Sequence, residues 1–206
     1  MQPEDVPARA WHAATALVSG SALTSQLVDV LGARDASTAV VRFGSFFTVQ
    51  SNLLLLAVSL LLVLDPRRDG RLFRVLRANA LIGITCTAVV YNGVLNPGGG
   101  RDGLALTDAL LHGVAPLLAV VGWAVFGPRP RVDRLTQVAS LVWPALFLGW
   151  TLVHGAVSGW WPYAFLDADD LGLAGALRSA LVVGVLLLGL TALLGLLDRR
   201  LPARAA

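Results

Sequence analysis

Long apolar runs alternate with short polar connectors along the whole chain. Six of these runs, at about 11–31, 44–64, 75–95, 104–126, 136–156 and 173–197, meet the ~20 helical residues needed to cross a bilayer core of about 30 Å. The connectors carry turn and loop residues: Asp65-Pro66-Arg67-Arg68-Asp69-Gly70, Asn96-Pro97-Gly98-Gly99-Gly100 and Gly127-Pro128-Arg129-Pro130. None is long enough to form a second domain. The pattern predicts an all-α polytopic membrane protein, with residues 1–206 forming one bundle of six transmembrane helices.

Charge orients that bundle. Arg9, Arg67, Arg68, Arg71, Arg74, Arg77, Arg129, Arg131, Arg134, Arg199, Arg200 and Arg204 fall on one side, and only Arg34, Arg42, Arg101 and Arg178 on the other. Basic short loops stay cytoplasmic, so both termini are expected inside, in a multi-pass protein of the plasma membrane. Composition agrees, because at 56% hydrophobic and 14% charged a soluble domain could not cover its surface. The net charge of +3 does not point to nucleic acid, since the arginines punctuate apolar runs instead of clustering with base-reading groups. A lone Cys86 excludes an intrachain disulfide and a cysteine-based metal site. Two acids ahead of Arg9, and no clear small-residue cleavage site after the first run, predict that this run is retained and not removed as a signal peptide.

With orientation assigned, each polar residue acquires a depth, and the polar residues gather in the outer half. Ser45, Thr48, Gln50, Ser51 and Asn52 open the second run before a nearly pure aliphatic stretch. Tyr91 and Asn92 lie near the outer end of the third, Asp108 and His112 near that of the fourth, and Thr151 and His154 near that of the fifth. At 1.5 Å per residue, Thr48 and His112 sit about 6 and 12 Å below the expected outer ends, so the two can meet if their helices are neighbours. Asp108 and His112 are four apart, as are Thr48 and Asn52, which puts each pair on one helical face. Pro116 removes the donor that the His112 carbonyl would normally receive, so a distortion is expected beside the histidine.

Ordinary roles compete with these readings. A membrane threonine commonly bonds its own preceding turn. His12, beside Trp11, reads as an interfacial residue bonding a headgroup, and Asp108 is shallow enough to reach interfacial water. His112 is harder to explain structurally, because ionisable groups at membrane depth are costly and mark sites. The loop containing Trp160, Trp161, Tyr163 and Phe165 reads either as an interfacial aromatic belt or as the lid and entrance of a site below it.

Three segments carry a family resemblance. Phe46-Phe47-Thr48-Val49-Gln50-Ser51-Asn52, the segment from Asp108 through Pro116, and Trp161-Pro162-Tyr163-Ala164-Phe165-Leu166-Asp167 together resemble the androgen-induced, FAR-17a-like family of membrane proteins, in particular its bacterial branch. The likeness runs from about residue 40 to about residue 195. It implies an intramembrane threonine hydrolase cleaving fatty acid esters of hydroxy fatty acids, without a cofactor. By motif position the resemblance implies Thr48 as nucleophile and His112 as base, the two residues that depth also singles out.

The hydrolase expectation assigns Asp108 to orient the imidazole, Asn52 and then Asn92 to donate to the oxyanion, and Ser51, Tyr91 and His154 to line the substrate site, the substrate being a membrane lipid. Two alternatives stay open. His112 and His154 could ligate haem or, with Asp108, a metal ion. The chain could also be a transport or structural membrane protein.

Overall fold

The computed structural model describes residues 5–97 and 106–203; residues 104 and 105 of the expected fourth helix, and the counted Arg101 and Arg204, lie outside them. The described residues form helices and connecting turns with no strand, and six helical stretches are long and apolar enough to cross a membrane. The chain is an all-α polytopic bundle.

Helix α1 spans Val6–Leu31, followed by the short α2, Ala36–Gly44. The second span, α3 (Phe47–Leu64), starts three residues later than expected because Phe46 is extended, at φ −83° and ψ 130°. This break is pinned by side chains: Ser45 Oγ donates to Val41 O at 2.8 Å, Gln50 Nε2 donates to Gly44 O at 2.9 Å, and Trp150 Nε1 donates to Ser45 Oγ at 2.9 Å. Helix α4 (Arg71–Val90) continues into a π-helical turn, Tyr91–Leu95, closed by Asn96 N–H donating to Tyr91 O at 2.7 Å.

The fourth span is composite. Helix α5 (Leu106–Ala109) leads into a second π turn, Leu110–Val114, and then α6, Ala115–Phe126. The fifth comprises α7 (Arg134–Ala139) and α8 (Val142–Ser158). The last, α9 (Ala168–Arg200), bends at Gly172, whose φ of 68° and ψ of 158° lie outside helical space.

The aliphatic core lies between α3, α4, α6 and α9, where Leu55, Leu62, Ile84, Ala115 and Leu187 are buried. Small residues allow the closest approaches. A Cβ on Gly83 would stand 2.8 Å from the Trp143 ring and 3.0 Å from Ser51 Oγ, so α4 needs glycine there to meet α3 and α8. His12 is not at a lipid interface: it is 6% exposed and its ring packs against Phe126, while Trp11 Nε1 donates to Leu118 O at 2.9 Å. At the arginine-rich end, the buried Asp198 carboxylate accepts the Arg131 and Val132 N–H groups at 2.6 and 2.7 Å, joining α9 to the loop after α6.

Candidate active site

The two π turns meet away from the arginine-rich end. Pro116 has no N–H, so the carbonyl of His112 lacks its helical donor. The coil answers by widening: Ala115 N–H reaches back five residues to Leu110 O, and Asn92 Nδ2 from the neighbouring π turn donates to His112 O at 3.3 Å. The distortion expected beside His112 is therefore a π turn, of the kind that recurs at functional sites.

His112 is 8% exposed, and its ring is fixed on three sides. The Tyr91 ring stacks on it with centroids 3.7 Å apart and planes at 15°. Nδ1 stands 3.1 Å from the Asp108 main-chain carbonyl. A carbonyl only accepts, so Nδ1 carries the proton and Nε2 presents its lone pair. Thr48 Oγ1 lies 3.3 Å from that Nε2, placing a hydroxyl donor against a base in the tautomer that can take its proton.

Thr48 sits in the first turn of α3, where backbone N–H groups have no helical acceptor. Phe46, at the N-cap, offers no side-chain acceptor. Tyr163 from the α8–α9 loop fills the role, its hydroxyl oxygen accepting Phe47 N–H at 3.0 Å and lying within reach of Thr48. Burial raises the Tyr163 phenol above its ordinary value, so it stays protonated near neutral pH.

Thr48, Tyr91 and Tyr163 are among the residues lining a cavity of about 340 Å³ between α3, α4, α8 and α9. The remaining wall is almost wholly apolar, including Phe47, Phe147 and Leu187. It also includes Leu181, Val185 and Leu188, which are 68%, 61% and 54% exposed on the outside of α9, so the cavity opens sideways through the flank of the bundle.

Other sequence-selected residues are placed differently. The Asp108 carboxylate is 4.0 Å from Nδ1, so this residue holds the imidazole through its main chain and not its side chain. Asn52 is fully buried, with Nδ2 donating to Thr48 O at 3.0 Å, and Asn92 Nδ2 donates to Ala88 O and His112 O. Both amides brace the site's backbone, and neither lines the cavity that Thr48 borders. Ser51 points at Gly83 of α4. His154 does not line the cavity; it is stacked on Trp150 and edge-on to Trp160. Hydropathy gave these residues a depth but no rotation about the helix axis, and rotation separates them.

The aromatic loop divides as well. Tyr163 and Phe165 line the cavity, stacked on each other at 5.2 Å. Trp160 and Trp161 instead anchor the loop. Trp160 packs edge-on to Phe46 beneath the Arg42 guanidinium, and Trp161 lies over Gly155 with Nε1 donating to Asp169 Oδ2 at 2.9 Å.

Among the described residues no group of three or more His, Cys, Asp or Glu side chains is placed to hold a metal ion. Comparison of the chain with protein-family models, curated proteins and solved structures returns no match.

Proposed function

We propose that the protein is an intramembrane hydrolase of lipid esters, with Thr48 as nucleophile and His112 as general base. The observation that carries this reading is the 3.3 Å approach of Thr48 Oγ1 to an imidazole nitrogen whose partner nitrogen is fixed as a donor. The family resemblance of the three segments supports the same two residues and suggests fatty acid esters of hydroxy fatty acids as the substrate class.

His112 Nε2 takes the Thr48 proton as Oγ1 attacks the ester carbonyl carbon. The tetrahedral oxyanion collapses, the C–O bond to the alcohol breaks, and the leaving alkoxide receives the proton from Nε2. Water then attacks the acyl-threonine ester, giving up a proton to Nε2, and the second collapse returns that proton to Thr48 Oγ1 with release of the carboxylic acid. Burial of His112, beside a half-buried Thr48 at an apolar cavity, strengthens these electrostatic effects.

The cavity's side opening suits a substrate arriving from the bilayer, with its acyl chain between α8 and α9 and its ester at Thr48. With the arginine-rich end in the cytoplasm of a plasma-membrane protein, the site lies in the outer leaflet. The test is hydrolysis of a p-nitrophenyl acyl ester by purified protein in detergent. Wild type is expected to release p-nitrophenol and Thr48→Ala to fall to the uncatalysed rate; equal rates for the two would rule the nucleophile out.

A further inference from the structure

An oxyanion forming at the edge of an apolar cavity needs a pre-placed donor, and such a donor supplies much of the rate enhancement in acyl transfer. Neither Asn52 nor Asn92 lines the cavity, and their amides donate to main-chain carbonyls. The phenol of Tyr163 lines the cavity beside Thr48, its oxygen 3.0 Å from the Phe47 nitrogen.

We propose that Tyr163 is a catalytic residue whose O–H donates to the oxyanion formed when Thr48 attacks the ester, a role that rests on the hydrolase reading above. A phenol has one proton and two lone pairs. The Phe47 N–H occupies one lone pair at 3.0 Å and Thr48 lies within hydrogen-bond reach of the same oxygen, which leaves the O–H for an acceptor in the cavity that Tyr163 lines. Accepting that bond polarises the phenol and makes it a better donor. The ring is held by Phe46, edge-on with centroids 5.8 Å apart, and by Phe165, stacked at 5.2 Å. The donor is thus positioned before substrate arrives. The positive end of the α3 dipole favours negative charge at the same place. No proton leaves Tyr163 in the cycle; it supplies one hydrogen bond that strengthens as charge develops on the carbonyl oxygen.

The experiment compares purified wild type, Tyr163→Phe and protein carrying 3-fluorotyrosine at position 163, each with a p-nitrophenyl acyl ester. Tyr163→Phe is expected to lower kcat about 10²- to 10³-fold with KM changed less than about threefold. The fluorinated phenol keeps the ring's size and is more acidic, so it is expected to retain turnover while the high-pH limb of the rate profile moves to lower pH. A structural tyrosine would leave that limb in place, and this arm decides the matter if Tyr163→Phe fails to fold. An active wild type with Tyr163→Phe within about threefold of it, or faster, or with an unmoved high-pH limb, would overturn this role and leave the hydrolase reading standing. A wild type that turns over no ester overturns both.

Discussion

Thr48 Oγ1 and His112 Nε2 meet at 3.3 Å although 64 residues separate them in the chain. Neither side chain reaches the other by local geometry alone. Thr48 is placed by the helix break at Phe46, and His112 by the π turn that Pro116 enforces. Both backbone irregularities are satisfied by side chains from elsewhere, Tyr163 at the first and Asn92 at the second.

Because Asp108 holds Nδ1 through its carbonyl, its carboxylate is dispensable for orientation. Asp108→Asn is expected to reduce kcat less than about tenfold, whereas His112→Ala costs at least about 10³-fold, as loss of a catalytic base does. Steady-state ester hydrolysis by the two variants checks the contrast. Equal losses would assign the carboxylate the orienting role instead.

Pro116→Ala restores an N–H opposite the His112 carbonyl and lets the π turn relax toward an α-helix. The histidine would rotate relative to Thr48, so activity is expected to fall by about tenfold or more while the protein unfolds at the same or a higher temperature. Thermal unfolding in detergent, measured beside activity, separates this from simple destabilisation.

A Cβ on Gly155 would stand 2.4 Å from the Trp161 ring. Gly155→Ala must push the anchor outward and with it Tyr163 and Phe165, at a cost of about 1–3 kcal/mol for overpacking. The expected signature is a lower unfolding temperature together with reduced kcat/KM. Wild-type values for both would mean that Trp161 does not anchor the loop.

At the arginine-rich end, the Asp69 carboxylate is held well below the ordinary carboxylate range by its hydrogen bonds with Arg74, both 2.7 Å. A depressed carboxylate stabilises the fold above its unfolded-state pKa, and that stability is lost as pH falls through the folded-state value. Asp69→Asn is expected to lower the unfolding temperature slightly at neutral pH, with the gap to wild type closing under strong acid. The pair is partly exposed, so the effect is small and should shrink with added salt.

Hydropathy carried the six spans, and the depth of Thr48 and His112, because both depend on position along the helix axis. The irregularity at Pro116 was equally legible, since a missing N–H is a local fact. Helix neighbours and facing are set by packing between distant segments, as in the meeting of Gly83 with Ser51 and Trp143. That is why Asn52 and Asn92 read as oxyanion donors in the sequence although both donate to main-chain carbonyls and neither lines the cavity. It is also why four loop aromatics looked alike although Trp160 and Trp161 anchor while Tyr163 and Phe165 line the cavity. The π turn at Tyr91 gave no signal, having no proline or other break that marks it.

The central claim is that Thr48 is activated by His112. Its most direct measurement is treatment of the detergent-purified protein with a fluorophosphonate, followed by mass spectrometry of the modified peptide. One adduct is expected on Thr48 in wild type and none in Thr48→Ala or His112→Ala of unchanged thermal stability. An unlabelled wild type, or an adduct that persists in His112→Ala, would contradict it.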